Sequence, residues 1–229
     1  MSKKKNHSDD QLVAVEEALS KTEKFVEKNQ NNLLIGLIAV VVLVGGYFAY
    51  TNLYKKPLEQ EAQEAIIFAQ LEFERDSFRL ALTGNSQFFG FESMIDEYGS
   101  TKAGKLSYYY AGVCYAKLGE YANAIEMLDK FSTDDEMLAA VRLGLIGDCF
   151  AELNQPEEAL EYYEKAAAAR DNNFTTPFYL KKAAETCMTL NNPDMALKHY
   201  ETIKKDFPES LEAQDIDRLI ERARYQAQG

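Results

Sequence analysis

Side-chain chemistry needs a nucleophile, a proton carrier or a metal ligand with partners at workable spacing, and this 229-residue chain offers few of them. There are two histidines, His7 in a polar N-terminal stretch and His199 on a predicted helix. Neither a histidine relay nor a histidine metal cluster can be built from them, and both read as solvated surface residues. Cys114, Cys149 and Cys187 are odd in number and lack Cys-x-x-Cys spacing. Each falls among apolar neighbours in a helical stretch, which marks buried small hydrophobes rather than a disulfide framework. The acidic pairs Asp134-Asp135 and Glu157-Glu158 stand just ahead of predicted helices, where they favour the helix dipole. No glycine-rich phosphate loop, Gly-x-Ser-x-Gly elbow or metal-spaced Cys/His set occurs. No catalytic, cofactor-binding or metal-binding residue is expected, nor a small-molecule substrate, which leaves protein binding.

Charge narrows the partner class. The net charge is −12, yet residues 1–32 balance and residues 33–50 carry none, so the acidic excess belongs to everything after. An acidic domain without a basic stripe does not suit nucleic acid. Five prolines and twelve glycines mean few loops and much helix.

Residues 33–50, LLIGLIAVVVLVGGYFAY, are uncharged. Extended through Tyr54, the run reaches about 32 Å as a helix, enough to cross the hydrocarbon core. It begins after a largely polar stretch of 32 residues, is longer than a signal-peptide core and lacks a small-x-small exit, so a retained span over 33–54 is expected. Six lysines precede it (Lys3, Lys4, Lys5, Lys21, Lys24, Lys28) and Lys55 and Lys56 follow, a bias that predicts a cytoplasmic N-terminus. In the tail, 1–32, Ser8 to Gln11 has capping-box spacing. Leu12, Val15, Leu19, Thr22 and Val26 then form a narrow apolar stripe on a short amphipathic helix of about 20 residues.

Beyond the span the chain repeats itself. GVCYAKLGEYANAIEMLDKF (112–131) aligns with GDCFAELNQPEEALEYYEKA (147–166) at an offset of 35, and with AETCMTLNNPDMALKHYETI (184–203) after a further 37. Each unit is a helix, a short break and a second helix. This pattern resembles the tetratricopeptide repeat. The resemblance implies that Gly112 packs on Ala124, Gly147 on Ala159 and Ala184 on Ala196. Large residues wedge between: Tyr108, Tyr115 and Leu128; Leu143, Phe150 and Tyr163; Leu180 and Tyr200. Pro208 sits where a proline ends the third unit. One hairpin cannot hide its apolar face, so hairpins stack. The fold class expected is all-α, a right-handed solenoid of tetratricopeptide-repeat hairpins over 105–208, preceded by one transmembrane helix. Upstream, 55–104 reads as a long helix over 58–82 followed by a degenerate first repeat whose second helix and exit are 88–104. Phe88, Phe89 and Phe91 there fill core or form a docking edge. Residues 209–229 read as a polar capping helix.

In such solenoids the first helices line a concave groove. By position these inward residues are Tyr109, Val113, Gly144, Asp148, Lys181 and Glu185, with Leu106, Val141 and Phe178 at the helix starts. No asparagine falls in the three first helices (105–118, 140–153, 177–190), which argues against clamping a terminal carboxylate and for binding extended or partly folded polypeptide. The layout of tail, span and acidic repeats resembles the ancillary subunit of the bacterial SecYEG translocon. That family implies an inner-membrane adaptor with a periplasmic repeat domain, partnered by translocon subunits, periplasmic chaperones or secreted chains. The alternatives are an envelope scaffold for division or outer-membrane assembly, and a stand-alone holdase.

Overall fold

The computed structural model describes residues 7–228, with side chains from residue 19 onward except Thr22. His7, the Ser8 capping box, and Leu12, Val15 and Thr22 of the tail stripe lie outside the described side chains, and Lys3 to Lys5 outside the described residues. The chain divides into two compact units, Met1–Pro57 and Leu58–Gly229.

In the first unit, helix α1 (His7–Ala49) runs unbroken from the tail through the apolar stretch. The tail helix and the span, read separately from sequence, are thus one element. A six-residue π-helical segment, Tyr50–Lys55, follows. Thr51 and Asn52 side chains bond the carbonyls of Tyr47 (2.8 Å) and Phe48 (2.9 Å), and the rings of Tyr50 and Tyr54 stack at 5.6 Å. Among the described residues one helix is long and apolar enough to cross a membrane, and none of its most apolar 18-residue window is buried.

The second unit is a stack of helical hairpins, with no strand among the described residues. Helix α2 (Lys56–Glu74) and helix α3 (Phe78–Thr83) come first. Helix α4 (Phe91–Tyr98) follows an interruption at 84–90. Three hairpins come next. They are α5 (Lys102–Lys117) with α6 (Tyr121–Lys130), α7 (Glu136–Glu152) with α8 (Pro156–Ala168), and α9 (Thr175–Thr189) with α10 (Pro193–Asp206). A 3-10 turn, Leu211–Asp215, and helix α11 (Ile216–Ala227) close the stack.

One turn chemistry is used four times. Gly119, Asn154 and Asn191 adopt left-handed φ of 78°, 59° and 56° at the ends of α5, α7 and α9. The amide after each bonds back to the carbonyl five residues earlier, as Glu120 to Tyr115, Gln155 to Phe150 and Asn192 to Cys187, each 2.9 Å. This is the Schellman closure, which glycine and asparagine tolerate best. Asp76 (φ 58°) ends α2 in the same way, with Ser77 N bonded to Glu72 O at 2.9 Å. The helix expected over 58–82 is therefore broken at Asp76. Its remainder forms the short helix α3, and of the stretch 88–104, expected to hold the second helix and exit of the first unit, α4 covers Phe91–Tyr98. The connection between them folds back on itself through a bridge between Gly84 and Phe89. A Cβ on Gly84 would lie 2.3 Å from Gly90 N, and one on Gly90 2.2 Å from Gly84 N, so the crossing needs both glycines.

Within each hairpin the crossing is tight. A Cβ on Gly112 would lie 2.6 Å from Leu128 Cγ and 3.3 Å from Ala124 O; one on Gly147 would lie 2.7 Å from Tyr163 Cε1 and 3.2 Å from Ala159 O. Ala184 and Ala196 are both fully buried in the third hairpin. Tyr163, Tyr200 and Leu128 are buried, while Tyr108, Tyr115, Leu143, Phe150 and Leu180 are half-buried. Pro208 is exposed just beyond Phe207, which ends α10. The three phenylalanines of the first unit separate. Phe91 is fully buried and stacks on Tyr110 (5.0 Å), Phe88 stacks on Phe68 (6.0 Å), and Phe89 is 43% exposed.

Candidate protein-binding site

The first helices α2, α5, α7 and α9, with α11, carry a row of three shallow clefts. Between α2 and α5 a cleft of about 300 Å³ is lined by Gln63, Ile66, Gln70, Lys102 and Leu106. Between α7 and α9 one of about 290 Å³ is lined by Ala151, Asn154, Tyr163, Lys182, Glu185, Thr186 and Thr189. Between α9 and α11 one of about 350 Å³ is lined by Glu185, Met188, Thr189, Leu219 and Arg222. Glu185 lies at the junction of the last two.

The middle cleft has an ordered polar wall. Asp148 Oδ1 accepts from the Tyr163 hydroxyl (2.7 Å) and from Lys182 Nζ (2.6 Å). The same ammonium sits 5.4 Å from the centroid of the Tyr163 ring and 5.3 Å from that of Phe178, within cation–π range. Burial first, then the bond to Asp148, pushes the Tyr163 hydroxyl well above its ordinary pKa. It stays a neutral donor. The result is a cleft whose wall is fixed before anything enters it, so little side-chain entropy remains to be lost on binding.

The sequence-predicted residues divide by depth. Leu106 lines the α2/α5 cleft, Asp148 lies behind the lining of the middle one and holds Tyr163 and Lys182, and Glu185 projects into two. Phe178 is 42% exposed at the start of α9. Tyr109 is half-buried against Phe131 (ring centroids 5.5 Å), and its hydroxyl pKa is raised by burial and then by Tyr110. Val113, Val141 and Lys181 are half-buried. Gly144 presents no surface. It is buried beneath Tyr179, whose Cε1 would lie 2.0 Å from an added Cβ. That position seats one repeat on the next, and a side chain there would push Tyr179 out.

Lys182, Thr186, Thr189 and Asn154 line the middle cleft but were not read from the sequence. Alignment of the repeats pairs position 148 with 185, yet the residue that touches Asp148 is Lys182, one helical turn earlier. Alignment identifies equivalent residues, whereas contact depends on how neighbouring helices are staggered. His199 is corrected as well. Its ring is 16% exposed and Nε2 lies 3.1 Å from Glu164 Oε1, so it links α10 to α8 instead of facing solvent.

Among the described residues no group of three or more His, Cys, Asp or Glu is arranged to hold a metal. Cys114, Cys149 and Cys187 are free and buried. Burial raises their thiol pKa to about 12, about 12 and about 11, which keeps them protonated at neutral pH.

Comparison with known proteins agrees with this geometry. Two family profiles described as tetratricopeptide repeat match residues 106–134 and 142–173. No curated protein matches the chain in sequence. Among solved structures, the crystal structure of MamA protein is similar with a TM-score of 0.52 and 15% identity, covering 75% of this chain and 88% of that one. The fold is an all-α tetratricopeptide solenoid, a type of scaffold that mediates protein–protein interaction.

Proposed function

We propose that the chain is a membrane-anchored, non-catalytic adaptor that holds an extended polypeptide segment along the first helices of its solenoid. The observation that carries this reading is the row of clefts on α2, α5, α7 and α9, with the Asp148–Tyr163–Lys182 wall at its centre. Carboxylate, ammonium, hydroxyl and aromatic groups alternate there. Such a lining suits a backbone with mixed side chains better than a single small ligand.

In this reading the apolar stretch of α1 anchors the domain, and the lysine bias supports a cytoplasmic N-terminus with the repeats on the opposite side of the membrane. On a bacterial inner membrane that side is the periplasm. The partners proposed are translocon subunits and the chaperones or chains found at the translocon exit, in keeping with the layout of tail, span and acidic repeats.

A photo-crosslinking residue at Glu185, introduced in intact membranes, tests the groove and its partners together. Adducts to translocon subunits, periplasmic chaperones or emerging chains, diminished by Lys182→Glu, are expected. Adducts confined to division or outer-membrane assembly factors would move the protein to an envelope scaffold. A crosslinking yield unaffected by Lys182→Glu would remove the groove from the account.

A further inference from the structure

Another cleft opens on the far side of α9, between the second helices α8 and α10. At about 100° per residue, α9 turns Lys182 and Glu185 to the middle cleft and carries Thr176 and Leu180 on its opposite side. There the three helices enclose about 450 Å³. The apolar part of the lining is Ala167 and Phe207, both buried, Leu180, half-buried, and Ala168, open to solvent. Glu164, Asp171 and Asp206 supply carboxylates around it. His199 Nε2 is taken up by Glu164 Oε1 at 3.1 Å. Arg170, beside Asp171 in sequence, turns away to Glu136 (3.3 Å), and Lys205, which reaches Asp206 at 3.3 Å, is 83% exposed.

The hydroxyls fix the polarity of this lining. Thr176 Oγ1 donates its proton to Arg170 O (2.7 Å), and Thr202 Oγ1 donates to Lys198 O (2.9 Å). A carbonyl can only accept, so each hydroxyl has lone pairs, and no proton, to offer a further partner. Three carboxylates and two hydroxyl oxygens, all acceptors, thus edge an apolar base.

We propose that this cleft docks a basic segment of a partner protein, seating an arginine or lysine side chain flanked by apolar residues. A guanidinium or ammonium carries donors and no acceptor, the complement of this lining. Its methylene stem lies along Ala168 and Leu180 while the charged head meets the carboxylates. The acidic excess of the repeats steers such a partner in and turns anionic ligands away. The inference does not depend on what the first-helix clefts hold, since those lie across α9.

The probe is a fluorescein-labelled decapeptide with two arginines set among leucines and serines. It is titrated by anisotropy against the full chain in nanodiscs of zwitterionic lipid, with empty discs as the blank. Saturable binding is expected, and Asp171→Lys should weaken it about tenfold. Ala168→Tyr, which fills the apolar base, should weaken it as well. Glu74→Lys, the same charge change on the exposed surface of α2, and Lys182→Glu should each change it by less than about twofold. All variants should keep the native helix content. Four outcomes would overturn the proposal. They are equal or no binding of the arginine peptide relative to its glutamate counterpart, and a loss in Glu74→Lys that matches Asp171→Lys, as diffuse attraction would give. The others are a loss in Lys182→Glu, which would put the peptide in the first-helix clefts, and displacement by spermidine at the peptide's own concentration, which would make the cleft a site for small cations.

Discussion

Gly144 offers the most direct test of how one repeat seats on the next. It lies mid-way along α7 with its Cα against the Tyr179 ring, so that an added methyl would sit 2.0 Å from Cε1, 2.2 Å from Cζ and 2.5 Å from the hydroxyl oxygen. Two effects compete in Gly144→Ala. Replacing glycine by alanine inside a helix stabilises by about 1 kcal/mol. Forcing a methyl into a packed site costs about 1–3 kcal/mol. Tyr179 is only 6% exposed, so its ring cannot swing aside freely, and overpacking wins. The net loss expected is about 1 kcal/mol, or about 2–4 °C in Tm for a domain of this size. Tyr179→Leu deletes the three atoms that the methyl would strike while leaving the branch carbons. In that background the same Gly144→Ala substitution should gain about 1 kcal/mol. Thermal and urea unfolding of the four variants, followed by circular dichroism on the full chain in mild detergent, reads the cycle. Gly144→Ala stabilising both backgrounds, or effects that simply add, would refute the proposed seating.

Further outcomes follow from the same packing. At pH 7 the three cysteine thiols should resist maleimide in the folded chain and react fully in denaturant, since each is buried and its pKa is raised. Asn154→Ala should lower stability by about 1 kcal/mol, because its φ of 59° penalises a Cβ without a compensating side chain, and Asn154→Gly should not; the two Tm values decide it. Tyr163 is a proton donor whose folded pKa lies above its unfolded value of about 10. Its contribution is intact below pH 10 and is lost as pH rises beyond it, so urea midpoints should fall in alkali. Tyr163→Phe should make that fall shallower while lowering stability near neutrality by about 1 kcal/mol, a figure reduced because Asp148 is 40% exposed.

Much of the fold was legible without coordinates because its determinants are local or periodic. Small residues at 112, 124, 147, 159, 184 and 196 recur at near-constant spacing, since only small side chains let two helices of a hairpin approach. Breaks at Gly119, Asn154 and Asn191 recur because few residues accept left-handed φ. The first unit was harder to read. Asp76 ends α2 without a glycine or asparagine to mark it, and the doubled-back connection at 84–90 separates α3 from α4, a detour that leaves no periodic trace.

The candidate site was legible only in outline. The first helices could be chosen from the repeat; Leu106 and Glu185 lie at clefts, whereas Asp148 only supports the side chains of Tyr163 and Lys182. Lys182, the burial of Gly144 and the pairing of His199 with Glu164 came only with three dimensions.

The amino-acid sequence by itself determined that a membrane-length apolar helix precedes an all-helical stack of repeats, and which residues hold each hairpin closed. Those properties belong to single segments and to their spacing. The tertiary structure decided which residue of one repeat meets which residue of the next, and where clefts open between them. One residue of stagger turns a helix by about 100°, so the same sequence pattern is compatible with several pairings between neighbouring helices. Only close packing of whole hairpins selects one of them.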